Sequence, residues 1–109
     1  MEWSAEKTTR TIGDGLRTQS LGVLNFAHVL QFVDGIVTVT EDEILAAMRI
    51  MLGATKLVPE PSGAVTLAAA LFHARELPSA TKVVAVLSGG NLEPALRERL
   101  ESELTAAKA

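Results

Sequence analysis

Apolar residues return at helical spacing from Val23 through Phe26, Ala27 and Leu30 to Val33, after a polar stretch of about twenty residues without a sustained period. An amphipathic helix is expected there. Asp34-Gly35 should stop it, since glycine accepts the left-handed conformation that a helix end uses. Ile36-Val37-Thr38-Val39 is β-branched throughout and reads as a short strand. Thr40-Glu41-Asp42-Glu43 has the makings of a capping box, with the Thr40 hydroxyl accepting from the Glu43 amide and the Glu43 carboxylate reaching back. Ile44, Leu45, Met48, Met51 and Leu52 then supply one buried stripe, and Gly53 offers a stop.

Pro59-Glu60-Pro61 breaks the chain, and Pro61 suits the first position of a new helix. Residues 63–71 are small and apolar on almost every side, which predicts a helix buried among other elements. Val83 to Leu87 is a continuous apolar run, the pattern of a strand covered on both faces. Ser88-Gly89-Gly90-Asn91 turns the chain, and Pro94 opens a last helix whose Leu96, Leu100 and Leu104 oppose a charged side. The order helix, strand, helix, helix, strand, helix predicts an α/β fold: a partial parallel sheet flanked by helices.

Composition narrows the classes. With 109 residues, 48% hydrophobic and 21% charged, the chain has globular values and the length of one unit, residues 1–109, with residues 1–8 expected to be irregular. It has no cysteine, which removes disulfides, thiolate metal sites and cysteine nucleophiles, and favours a cytoplasmic setting. A net charge of −3 without a basic stripe argues against nucleic acid as a partner. The apolar stretch from Val58 to His73 is interrupted by Glu60 and two prolines, so no membrane span is expected. The segment from Met1 to Lys7 has no apolar run behind a basic start and does not read as a signal peptide.

Three places could carry chemistry. Ser88 to Asn91 lies at the carboxyl end of an expected buried strand, where open α/β sheets bind ligands. Its two glycines let a flat or charged group approach the backbone, and Ser88 adds a donor and an acceptor. The same four residues also read as a plain strand-to-helix turn. Glu60 stands between two prolines on a stiff backbone, either as a tuned carboxylate or as an acid at a helix start. Asp14-Gly15 alone is a turn dipeptide. His28 and His73 have no partner at metal-ligand spacing and are expected as ordinary, partly exposed histidines, so no metal site is assigned. Met48 and Met51 are expected in the core, and the charges from Glu93 to Glu103 on a solvated helix face.

Four segments then point further. Thr11-Ile12-Gly13-Asp14-Gly15-Leu16 resembles the T-I-A-D-G-L motif of serine/threonine dehydratases. Val33 to Glu43 is similar to the strand and capped helix that follow it there. Thr55 to Ala64 resembles the family's T-K-L-V-V-E-P-S-G-A segment, and Val84 to Asn91 ends in its V-L-S-G-G-N. The family is that of pyridoxal-phosphate enzymes of the tryptophan synthase β type (fold type II), which includes threonine ammonia-lyase and serine racemase. The likeness runs over about residues 9–92 and corresponds to the C-terminal portion of that catalytic domain.

The resemblance implies pyridoxal 5'-phosphate as cofactor and a small hydroxy amino acid, L-threonine or L-serine, as substrate, deaminated to a 2-oxo acid and ammonia. It implies that Ser88 hydrogen-bonds the pyridine nitrogen and that Gly89 and Gly90 let the ring lie against the backbone. Glu60 and Gly15 would line the cofactor pocket and Asp14 the substrate side. Gly13 stands where the family has alanine, and Pro59 where it has an aliphatic residue. The family's Schiff-base lysine sits in a serine-rich motif, and none of Lys7, Lys56, Lys82 and Lys108 has that context. The glycine-rich phosphate loop and the acidic cation motif are not found either. No catalytic residue is therefore assigned. The expectation is a fragment or subunit of a lyase, inactive alone and completed by an N-terminal half or by a homo-oligomer. A non-catalytic binding or interaction module derived from the same fold is the other reading.

Overall fold

The structure is a computed structural model that describes Ser4 and residues 10–108. The irregular stretch expected over residues 1–8 falls, Ser4 apart, outside the described residues. Four α-helices form: α1 (Val23–Phe32), α2 (Glu41–Ala54), α3 (Val65–Phe72) and α4 (Pro94–Lys108). Short 3-10 turns cover Asp14–Leu16, Pro61–Ala64 and Ala74–Glu76.

α2 is the centre. It begins in the capping box that the sequence announces: Glu43 N–H donates to Thr40 Oγ1 at 3.2 Å, and Thr40 N–H donates to Glu43 Oε1 at 2.8 Å. Three acids in the first turn suit the positive end of the helix dipole. Its inner face carries Ile44, Ala47, Met48 and Met51, which with Ala64, Ala68 and Leu100 make the buried core. Alanines at 64 and 68 let α3 approach closely, while Met48 and Leu100 fill the space between α2 and α4. Gly53 does not end α2; the helix runs one residue past it, and Thr55 turns out extended with its hydroxyl donating to the Met51 carbonyl. α1 likewise ends at Val33, in extended conformation, before Asp34-Gly35 is reached. Neither stop uses a left-handed glycine, because positive φ occurs only at Gly89 and Gly90 among the described residues.

The expected sheet is not formed among the described residues. Residues 33–40 and 83–93 run without strand pairing. Val84 is 89% exposed and Ile36 80%, so neither run is covered on both faces, although Val37 and Val39 are half-buried and Val39 packs on the core. A parallel strand is held by ladders from neighbouring strands, and no such ladder reaches either segment among the described residues. The Val86 carbonyl accepts from the Thr66 hydroxyl instead, at 2.8 Å. α1 is apolar yet buries no residue, and α3 is half-covered rather than enclosed. The radius of gyration is 15.4 Å, against about 13 Å for a compact domain of this length.

Polar ties hold the helices in place. Arg49 of α2 pairs with Glu103 of α4 at 2.6 Å, and Arg99 also reaches Glu103. These arginines hold the Glu103 carboxyl below its ordinary value. The charged face of α4 is thus solvated, as expected, but also docks on α2. His73, just after α3, is more than an ordinary surface histidine. Its Nε2 meets Glu43 Oε1 at 2.9 Å, and its Nδ1 meets Glu76. Hydrogen bonds to Glu43 first and to Glu76 second raise the His73 pKa above 6.5, and His73 in turn lowers that of Glu43 below 4.5.

The signs give a pH window. Glu43 contributes stability above its ordinary value, lost as pH falls through its lower folded value. His73 contributes stability below its ordinary value, lost as pH rises through its higher folded value. The clamp is therefore strongest between about pH 4.5 and 6.5. Urea titrations across pH 4–9 should show the midpoint falling on the alkaline side of that window. His73→Gln should remove that alkaline fall and, because His73 is the largest cause of the lowered Glu43 pKa, should also shrink the loss of stability on the acid side.

Candidate functional site

Pro59-Glu60-Pro61-Ser62-Gly63 is the turn on which the site is built. Both prolines are buried, and Glu60 is extended between them. The Glu60 carbonyl accepts from the Gly63 and Ala64 amides, each at 3.1 Å, closing the 3-10 turn that feeds α3. Pro61 sits in its first turn, as its locked φ allows.

The rest of the site gathers around this turn. A Cβ on Gly63 would lie 2.0 Å from the Ser88 carbonyl oxygen, so only glycine permits that approach. One on Gly89 would lie 1.7 Å from Glu60 Oε1, and Gly89 holds φ +81° besides. Gly90 has φ +151°, with the Val58 carbonyl at 3.5 Å from the place of a Cβ. On the other side, Gly15 N–H donates to Ser62 Oγ at 2.8 Å.

The Asp14 turn is itself braced. Ile12 N–H donates to Glu41 Oε2 at 2.8 Å, Gly13 N–H to Thr11 Oγ1, and the Arg17 guanidinium reaches the Thr11 carbonyl through Nε and Nη2 at 2.9 and 2.7 Å. Gly13 is buried, and Asp14 and Gly15 are exposed.

The structure thus brings Ser88, Gly89, Gly90, Glu60 and Gly15 to one turn, and places Asp14 beside Gly15 on the outer surface. Ser88 is exposed, and its hydroxyl has no partner among the described residues. Glu60 is half-buried and forms no ion pair among the described residues. Sequence reasoning missed Ser62 and Gly63 as separate contributors. Their only signal was membership of a motif in which Glu60 drew attention. It missed Glu41 as well, whose side chain ties the Asp14 turn to α2 across 29 positions.

A cofactor ring can meet this surface. Gly89 and Gly90 carry no side chains of their own, with Glu60 lying against Gly89 on one side, and Ser88 offers an uncommitted donor and acceptor. A cleft of about 80 Å³ between Met51, Pro59, Gly63, Leu87 and Ser88 lies beside the loop. It is far below the roughly 300 Å³ of a small-molecule site, so the exposed side of the loop is the one that suits a ring. Larger hollows, such as the one of about 510 Å³ between Thr18 and Phe26, lie elsewhere and are lined by none of Asp14, Gly15, Glu60 and Ser88 to Gly90. Among the described residues no cluster of metal-ligating side chains occurs, and no helix is long and apolar enough to cross a membrane.

Gly63→Ala should therefore displace the Ser88 loop. Overpacking against backbone costs about 1–3 kcal/mol, read as a lower urea midpoint, and amide resonances of Gly89 and Gly90 should move with it.

Residues 2–89 match the family model described as pyridoxal-phosphate dependent enzyme. The chain is 40% identical over 86 residues to L-threo-3-hydroxyaspartate ammonia-lyase of Saccharomyces cerevisiae, covering 79% of this chain and 26% of that protein. It is 42% identical over 84 residues to serine racemase of Dictyostelium discoideum, covering 76% and 26%. The crystal structure of T.th. threonine deaminase superposes with a TM-score of 0.77 at 43% identity, over 85% of this chain and 32% of that one. The chain spans about a quarter of the length of these curated relatives.

Proposed function

Because the chain belongs to the pyridoxal-phosphate dependent enzymes, we propose that it supplies the ring-facing wall of a lyase that deaminates small hydroxy amino acids, L-threonine or L-serine, to a 2-oxo acid and ammonia. One observation carries this reading: the Asp14-Gly15, Glu60 and Ser88-Gly90 segments, far apart in sequence, meet at one turn through the Gly15–Ser62, Glu60–Gly89 and Gly63–Ser88 contacts. When bound, pyridoxal phosphate supplies an electron sink for charge developing at the substrate Cα.

This chain's residues would do the following. The Ser88 hydroxyl would hold the ring nitrogen by a neutral hydrogen bond. Unlike an aspartate, it would not oblige that nitrogen to stay protonated, which suits prompt loss of a β-hydroxyl over prolonged charge storage in the ring. Gly89 and Gly90 would let the ring rest on the backbone. Glu60 would keep a carboxylate beside it on a stiff segment, with Gly15 lining the same pocket, and Asp14 would face the substrate side.

The lysine motif and phosphate loop expected of the family are not among the 109 residues of this sequence. Turnover on this reading therefore requires a complementary segment that provides both. Tethering such a segment would also cover the exposed apolar runs at Ile36 and Val83–Val86.

The test is reconstitution. The purified chain is mixed with the portion of T.th. threonine deaminase that it does not match, made as a separate polypeptide, with pyridoxal 5'-phosphate and L-threonine. The expected result is 2-oxo acid formation by the mixture and none by this chain alone. Ser88→Ala should lower cofactor affinity of the mixture about tenfold, the size of one lost hydrogen bond. Turnover by the chain alone would overturn the need for a complement. A mixture that takes up no cofactor would overturn the ring-facing wall.

A further inference from the structure

Resting on that reading, we propose that Ser62 is a positioning residue, whose hydroxyl sets the Asp14-Gly15 turn at a fixed distance from the Ser88-Gly89-Gly90 loop. The Gly15 amide lies in the first positions of a 3-10 turn, so it has no acceptor within the turn. It donates instead to Ser62 Oγ at 2.8 Å, across 47 positions of sequence. The approach is close: a Cβ on Gly15 would stand 2.9 Å from that oxygen and 3.2 Å from Ser62 Cβ.

The next residue, Gly63, rests against the Ser88 carbonyl. Adjacent residues of one turn therefore hold the two halves of the site. The turn is stiff, being bounded by buried Pro59 and Pro61 and closed by two amides on the Glu60 carbonyl. Movement of Gly15 relative to Ser62 has no slack to be absorbed in, and it passes to Ser88 through Gly63. A hydroxyl at 62 accepts the Gly15 proton. Alanine there would hand that proton to water and free the substrate-side turn to drift from the ring-side loop. Ser62 need touch neither cofactor nor substrate for this.

The experiment compares the full chain with Ser62→Ala and Ser62→Thr, using amide resonances and hydrogen exchange at Gly15, Gly89 and Gly90. In Ser62→Ala the Gly15 amide should exchange at least about fivefold faster, the equivalent of one modest hydrogen bond. Gly89 and Gly90 resonances should shift too. Ser62→Thr keeps the acceptor and should restore all three. Should Ser62→Ala lose its helical circular dichroism, Gly15→Ala presses a methyl group on the same oxygen and is read the same way. In the reconstituted mixture, Ser62→Ala should raise KM for L-threonine severalfold more than it lowers kcat, again with rescue by threonine. Unmoved Gly89 and Gly90 resonances in Ser62→Ala overturn the positioning role, whether or not the mixture takes up cofactor. Failure of the unaltered chain to support uptake overturns instead the functional reading beneath it.

Discussion

The site depends on the close approach of Gly63 to the carbonyl of Ser88, where no side chain fits between them. The contact joins a turn near the middle of the chain to a loop 25 positions later, and the two prolines flanking Glu60 stiffen the turn against yielding. Glu60 is then carried over Gly89, Val58 lies under Gly90, and Ser62 takes hold of Gly15. Hydrogen bonds alone would leave these segments with freedom to slide. Backbone-to-backbone contact at a glycine removes it, because atoms at van der Waals contact have no shorter distance available.

Behind the turn stands a small core. α2 supplies most of it, with Met48 and Leu100 the largest fully buried side chains. Its N-terminus is the second anchor: the capping box, the Ile12–Glu41 bond and the His73–Glu43 pair all meet within one helical turn. Away from that centre the apolar surface is open. α1, Ile36 and the run from Val83 to Val86 carry β-branched and aromatic side chains into solvent. The imbalance agrees with a chain that covers about a quarter of the length of its curated relatives. Its candidate site residues gather at one well-braced turn, while its apolar edges have nothing within the described residues to cover them.

Local physics was legible from the residues. Thr40 and Glu43 cap a helix because their side chains are the right length to satisfy amides three positions apart. Pro61 starts one because its φ is already helical and its missing amide is not needed there. The stripe from Ile44 to Met51 faces inward as its period requires. The signals not met among the described residues were of another kind. Gly53 and Gly35 have the freedom to stop a helix, but freedom is not compulsion, and hydrogen bonding ended each helix elsewhere. The runs at 36–39 and 83–87 have the composition of strands, but a strand is a relation between segments, so composition could not say whether neighbours were at hand.

Resemblance to a known family picked out the four motifs, while residue type and short-range spacing were enough to place the helix starts and the residues able to form the core. Each of these rests on groups a few positions apart or on the residue itself. It took the folded chain to show that Gly15 is held by Ser62, that Gly63 seats Ser88, that Glu60 overlies Gly89 and that His73 bridges two glutamates. Those contacts join positions from 3 to 47 apart. Such pairings depend on how helices and turns stack around Met48, and no periodicity or propensity along the chain encodes that distance.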